Sequence, residues 1–372
     1  MFFQCQLRIW SEDTCYEAQP TNGTPAGPYG SLLAMALSPK NPPHASFQIL
    51  IMYYSKLELS YGGDALNAAA GLLRMLTGRL GCEMFQGLPK LGLDAYLLFY
   101  TVKGTSKPKR NAQFPSYSWA GWKARVRWFE HARADPLFRL GNPTGFAQER
   151  AWIKWLELGL NGLACSISNL PEIVSDRPHL DATACIRLIM EIPSIRHDVE
   201  KTVLKVEDAK LARRYQYPLL TFMTVSVLFK IGANSISDLY DKDSNICGYI
   251  RYDQSPLKTS KCFSEFILLS ETNYADKDFP ILKKTKRKRY NLEVQSDQGG
   301  SRSLRSENED TGNQSPYVDL YDRATYRWDY YWILLIEWDD GVAERRGIGQ
   351  IYKAAAEKSF PPGPVWKRIV LA

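Results

Sequence analysis

What the chain has little of narrows its chemistry first. Seven cysteines are scattered through 372 residues, odd in number and without a C-x-x-C pair. That argues against a disulfide framework or a zinc site, and for reduced thiols in the cytosol. Only four histidines are present (His44, His131, His179 and His197), with no metal-ligand spacing among them. No stretch approaches the roughly 18 uninterrupted apolar residues of a membrane span. Met1-Phe2-Phe3 is too short for a signal-peptide core, and Arg8, Glu12 and Asp13 follow at once. G-x-S-x-G, H-E-x-x-H, phosphate-loop and dinucleotide patterns are all missing. The chain is therefore expected to be cytoplasmic and non-enzymatic, with no catalytic set, no cofactor and no metal.

What is present can fold. Hydrophobic residues make up 45% of the chain and charged residues 23%, enough for a large core and against global disorder. The net charge is +7, and Lys283, Lys284, Lys286, Arg287, Lys288 and Arg289 supply six of those charges; 7 − 6 leaves 1 for everything else. The basicity reads as one local run inside a polar stretch, 276–316, with little to bury, expected to be a disordered insertion. A solvated tail is the plain reading of that run. A nuclear-import signal or a contact with nucleic acid or acidic lipid is the other.

The densest stretch is Phe114-Pro115-Ser116-Tyr117-Ser118-Trp119-Ala120-Gly121-Trp122. Read as extended chain, Phe114, Ser116, Ser118 and Ala120 share one face and Tyr117 and Trp119 the other. Alternation continues to Phe129, which predicts a half-buried strand. Gly121 marks a kink or a close backbone approach. Two readings stand: an aromatic ligand platform, and a Trp-rich core seam. The second is favoured, because aromatics at strand spacing usually pack.

Elsewhere, residues 1–17 read as one strand with a polar exit, and Pro and Gly mark a linker over 18–45. Ser46 is placed as the N-cap of a helix from Phe47 to about Glu58. Asp64 opens a second, with Ala65, Ala68, Ala69, Leu72, Leu73 and Leu76 on one face and Gly78 and Gly81 at its end. Residues 130–150 read as loop, and Cys185–Met190 as a strand. After Tyr217 the texture turns to strands: 219–231, 246–252, 265–270, 332–338, 342–352 and 366–371. Asp339-Asp340-Gly341 is a hairpin turn, whose acids could alternatively ligate a cation. Arg346-Gly347-Ile348-Gly349 could face a phosphate, but a hairpin strand is favoured because no helix follows it. The fold class is α+β: a helical pair (46–80) on an antiparallel sheet formed by 114–129 and the strands beyond 217.

The Phe114–Trp122 stretch resembles the FPSWSWAGW segment of fungal heterokaryon-incompatibility (HET) domain proteins, with Tyr117 at the first Trp position. Further segments resemble that family in the same order: Tyr54–Tyr61 followed by Asp64-Ala65-Leu66-Asn67-Ala68, Gly87-Leu88-Pro89 then Asp94, Pro218–Phe222, Glu265–Ser270, Arg346–Gly349 and Trp366-Lys367. Leu57 stands where the family has Arg. Phe2-Phe3-Gln4-Cys5 is similar to the segment that closes the HET domain, which implies that the chain starts at that domain's tail as a truncated form. On that reading 1–17 is a remnant strand, 18–45 a linker, 46–216 a helical and aromatic-strand region, and 217–372 an antiparallel β region. The resemblance implies a non-enzymatic accessory region acting through a protein partner in self/non-self recognition and cell death. One alternative is a fragment of a TIR-like effector that hydrolyses nicotinamide dinucleotides, and another is a polyanion binder working through 283–289. The structural motif is carried by Phe114, Pro115, Trp119, Gly121 and Trp122.

Overall fold

The computed structural model describes residues 2–4, 9–11, 14–18, 38, 40–102, 107–129, 153–159, 164–167, 206–232, 236–253, 263–272 and 330–372. At the N-terminus the backbone forms an antiparallel meander of β1 (Phe2–Gln4), β2 (Ile9–Ser11) and β3 (Thr14–Ala18), with Phe2 opposite Ser11 and Ile9 opposite Ala18. The single strand expected over 1–17 is corrected to three. A lone strand leaves its backbone N–H and C=O groups unpaired, and folding back twice pairs them.

Helix α1 (Pro43–Tyr54) starts earlier than Ser46. Pro43 in its first turn has a preset φ and no N–H to leave unsatisfied. Ser46 lies inside the helix, and its hydroxyl donates back to the Pro42 carbonyl (3.3 Å). The helix stops at Tyr54 rather than Glu58, where the Ser55 hydroxyl accepts the Val126 N–H (3.0 Å). A tight turn, Gly62–Asp64, leads into α2 (Ala65–Ala68) and α3 (Ala70–Leu80), which are separated at Ala69. Gly81, at φ +66°, ends α3 as expected, while Gly78 is interior. The buried face is Ala65, Ala69, Leu73 and Leu76; Ala68 is exposed and Leu72 half-buried, so the expected apolar face is narrower.

Short elements follow: a hairpin of β4 (Met84–Phe85) and β5 (Leu88–Pro89), α4 (Leu93–Tyr96), β6 (Phe99–Val102), β7 (Lys109–Arg110), β8 (Trp122–Lys123) and β9 (Arg125–Trp128). β6 pairs with β9 and β7 with β8 as separate two-stranded ribbons. The expectation that 114–129 is a strand of the main sheet is corrected. Residues 114–118 are turns, Trp119–Gly121 is a 3₁₀ turn, and only β8 and β9 are extended. Alternation identified a half-buried and a buried face for 125–128 but not its partner.

The main sheet contains β10 (Leu156–Leu158), β11 (Ala164–Ser166), β12 (Leu219–Ile231), β13 (Ile236–Tyr240), β14 (Ile246–Tyr252), β15 (Ser264–Thr272), β16 (Tyr330–Asp339), β17 (Val342–Tyr352) and β18 (Val365–Leu371). The strands expected beyond 217 are all present, and β10, β11 and β13 were not anticipated. Pairing runs β12–β13–β14–β17–β16–β15 and returns to β12, so the ladder closes on itself. Each of those strands is thereby paired on both sides over at least part of its length, which limits its free edge. Long β12 also carries β18 along 220–226. The helix α5 (Val206–Arg214) lies against the β16–β17 hairpin through Arg214.

The chain is thus a mixture of helices and antiparallel strands, and one buried cluster joins Phe47, Leu76, Tyr96 and Trp119 to Trp332, Ile351 and Leu371. The run 283–289, the rest of 276–316, the loop at 130–150 and the strand expected at Cys185–Met190 lie outside the described residues. Among the described residues no helix is long and apolar enough to cross a membrane.

Candidate functional site

The Phe114–Trp122 stretch is buried from end to end. Its compactness follows from its own residues. Ser118 caps the 3₁₀ turn by accepting the Ala120 N–H (3.1 Å), and the Ser118 N–H donates to the Pro115 carbonyl (3.1 Å). A Cβ on Gly121 would overlap that same Pro115 carbonyl, the close approach the sequence suggested. A chain folded this tightly has no alternating faces, which is why the extended reading fails here.

Every polar tip in the stretch finds a partner inside the protein. The Trp119 indole N–H donates to the Gly87 carbonyl (2.8 Å), and the Ser118 hydroxyl to Gln86 (2.7 Å). The Tyr117 hydroxyl donates to Pro218 (2.7 Å) at the mouth of β12. The Trp122 indole donates to Ser116 (2.8 Å) within the turn. The Ser116 hydroxyl donates to the Ala372 carbonyl and accepts the Arg345 N–H (2.9 Å). Phe114, Pro115, Trp119, Gly121 and Trp122 are therefore brought together, as a joint between the β4–β5 turn, β12, β17 and the last residue. Trp119 is 2% exposed and Tyr117 fully buried, so the two rings serve as packed core and not as an open aromatic platform. Burial holds the Tyr117 hydroxyl well above its ordinary pKa.

Beside this joint is a group the sequence did not reveal. Arg345, in β17, is completely buried. Its Nε donates to Asp253 Oδ2 (2.6 Å), Nη1 to the Leu97 carbonyl (2.7 Å) and Nη2 to the Phe99 carbonyl, and the guanidinium lies 3.8 Å from the Phe99 ring centre. Asp253 Oδ1 also accepts the Thr101 N–H (3.1 Å). This ion pair joins α4 and β6 to the ring of strands. Nothing in a linear reading sets Arg345 apart from Arg346, its half-buried neighbour in the Arg-Gly-Ile-Gly segment.

Arg346 is held by Glu337 (2.7 Å) and Glu344 (3.0 Å). Added Cβ atoms at Gly347 and Gly349 would overlap the Arg251 and Tyr249 carbonyl oxygens of β14. These glycines admit a neighbouring strand, in keeping with the strand reading and not the phosphate one. Asp339 and Asp340 pair with Arg214 (2.9 and 3.0 Å). Asp340 and Gly341 both have positive φ, as a two-residue I′ turn requires.

On its outer side the joint borders a cleft of about 580 Å³, whose floor includes Trp119 and Trp122 and whose wall includes Leu57 and Val102. Lys56, Lys107, Lys109, Lys123 and Arg125 line it, with Glu58 as the single acid. Placing all the basicity in 283–289 is thereby corrected. Net charge sums over a surface and is silent about clustering, and these residues come from separate segments. Lys283, Lys284, Lys286, Arg287, Lys288 and Arg289 themselves lie outside the described residues.

Deeper in the core, Asp94 of α4 is fully buried, and burial pushes its pKa up to about 7, although the Trp155 indole beside it pulls the other way. Cys82, Cys165 and Cys247 are free thiols, and burial raises Cys247 well above the ordinary range. Among the described residues no group of His, Cys, Asp and Glu is arranged to hold a metal. No family model, no curated protein and no solved structure matches the chain.

Proposed function

We propose that this chain is a non-enzymatic accessory and interaction region of a heterokaryon-incompatibility type protein, acting in the cytoplasm through a protein partner in self/non-self recognition and cell death. The observation that supports this reading best is the use made of the Phe114–Trp122 stretch, the segment most similar to that family. Its side chains are engaged in joining four parts of the molecule, which is the work of a framework rather than of a reaction centre. In this reading the helices 43–80 and the ring of strands form one rigid platform for the partner.

Two measurements test it. Purified chain incubated with a nicotinamide dinucleotide should give no turnover above a heat-killed control; reproducible turnover overturns the non-enzymatic reading. Expressed in a filamentous fungus, the intact chain should change the frequency of cell death after hyphal fusion, and Trp119→Ala, which removes the joint, should abolish the change. An intact chain without effect overturns the incompatibility role.

A further inference from the structure

The cleft beside Trp119 and Trp122 carries uncompensated positive charge in a specific arrangement. Lys109 of β7 and Lys123 of β8 are direct register partners in the ribbon. Like charges facing each other across an antiparallel pair destabilise it. Neither makes an ion pair among the described residues, and both are exposed. The next strand adds a second juxtaposition. Arg125 lies two residues from Arg127 on the same side of β9, and its Nε is shut off from solvent without a hydrogen-bond partner. Burial, and then the Arg127 charge, lower the Arg125 pKa. Lys107 comes from just before β7, and Lys56, over the Tyr53 ring (5.6 Å), from just after α1. Five cations thus face one carboxylate, Glu58, around about 580 Å³. That volume falls within the range of roughly 300–1,000 Å³ typical of small-ligand sites and suits a compact ligand.

We propose that this cleft binds a compact ligand carrying two or more phosphate groups, with Lys109 and Lys123 holding one phosphate between them and Arg125 a second. An anion between Lys109 and Lys123 turns their mutual repulsion into two charge-assisted bonds. The Arg125 guanidinium has a planar fork of donors suited to phosphate oxygens. Leu57, 46% exposed on the wall, gives the carbon scaffold of the ligand an apolar surface. The same chemistry is offered by a free polyphosphorylated molecule and by a phosphorylated lipid headgroup.

The test uses the full chain and three probes: inorganic tripolyphosphate, inositol hexakisphosphate, and phosphatidylcholine vesicles containing phosphatidylinositol bisphosphate. Calorimetry should show saturable one-to-one binding of the soluble probes. Lys109→Gln/Lys123→Gln should weaken it by about tenfold or more, one lost charge-assisted bond being worth about that factor. Lys56→Gln/Lys107→Gln, at two exposed positions, provides a second variant should the first fold poorly. Replacing all six cations of 283–289 by Gln should leave the one-to-one site in place. Vesicle binding that is lost in the cleft variants and displaced by inositol hexakisphosphate also supports the site, and names a headgroup as its source. Absence of saturable binding overturns the proposal. So does binding that survives both cleft variants, or that disappears when only 283–289 is neutralised.

Discussion

The ring of strands and the region 40–129 each build a buried interior, but by different means. In the ring, backbone groups satisfy each other. β16 and β17 stay paired from Tyr330–Tyr352 to Asp339–Val342, and β12 is paired along most of its length. Side chains there are free to be apolar, as Ile333, Leu334, Ile348 and Ile351 are. In 40–129 the strands are two to four residues long, and helices and turns make up the rest. Buried or half-buried carbonyls at Gly62, Gln86, Gly87, Ser116 and Ala120 are met instead by Asn111, Ser118, Trp119 and Trp122. Where ladders are this short, polar tips on large side chains meet the carbonyls left over, and the aromatic stretch supplies them.

The sharpest way to break this comparison is to cut the place where the two regions meet. Arg345→Met is expected to cost about 3–5 kcal/mol, because Asp253 keeps a buried charge without its partner. Two further acceptors, the Leu97 and Phe99 carbonyls, are orphaned with it. That is a large fraction of the roughly 5–15 kcal/mol that holds a typical domain together. Adding Asp253→Leu should recover only part of the loss, since the Thr101 N–H also depends on that carboxylate. Urea unfolding of the single and double variants measures both steps. A single variant as stable as the parent would mean that the ring and 40–129 are not joined through this pair.

These two regions also differ in what the sequence made legible. All strands of the ring except β13 were found within a residue or two, because period-two apolar runs between turn residues mark half-buried or buried ladders wherever they pair. Closure of the ladder was not, since alternation gives faces and not partners. In 40–129 the identity of the aromatic core was readable and its conformation was not. Period-two spacing in 114–122 came from the demand for indole and hydroxyl donors, which mimics a strand pattern. Arg345 and Asp253, 92 residues apart in sequence, carry no local signal at all. The cleft was hidden for a related reason: Lys56, Lys109 and Lys123 become neighbours only after folding, and acids elsewhere cancel them in the net charge.

Asp94 sharpens the comparison through pH. Its folded pKa of about 7 is raised above the ordinary aspartate value of about 3.9. The folded state therefore holds a proton that the unfolded state has released between those values. Stability from this group is greatest below about pH 4, falls as pH rises towards 7, and is flat above it; the whole effect is at most roughly 4 kcal/mol. Asp94→Asn should flatten that part of the profile, read as the difference in unfolding free energy between pH 5 and pH 8. A parent whose stability rises over that window in the same way as the variant's would show that Asp94 ionises without cost and is better solvated than its burial implies.

The smallest effect is expected where the ring alone is touched, at the tip of the β16–β17 hairpin. Arg214 reaches from α5 to both Asp339 and Asp340, which on paper is a double ion pair (2.9 and 3.0 Å). All three side chains are well exposed, at 42%, 67% and 86%. Water screens such pairs, and ordering long side chains offsets most of the attraction, so exposed pairs are worth about 0.2–1 kcal/mol. The hairpin does not need them: its turn is set by positive φ at Asp340 and Gly341, and ladder bonds continue immediately behind it. Arg214→Ala should therefore lower stability by less than about 1 kcal/mol, with the loss shrinking further at high salt. Thermal melts at low and high ionic strength decide this. A loss comparable to that of Arg345→Met would mean that α5 is docked on the ring mainly through its charges, and that side-chain bonding governs the ring as it governs 40–129.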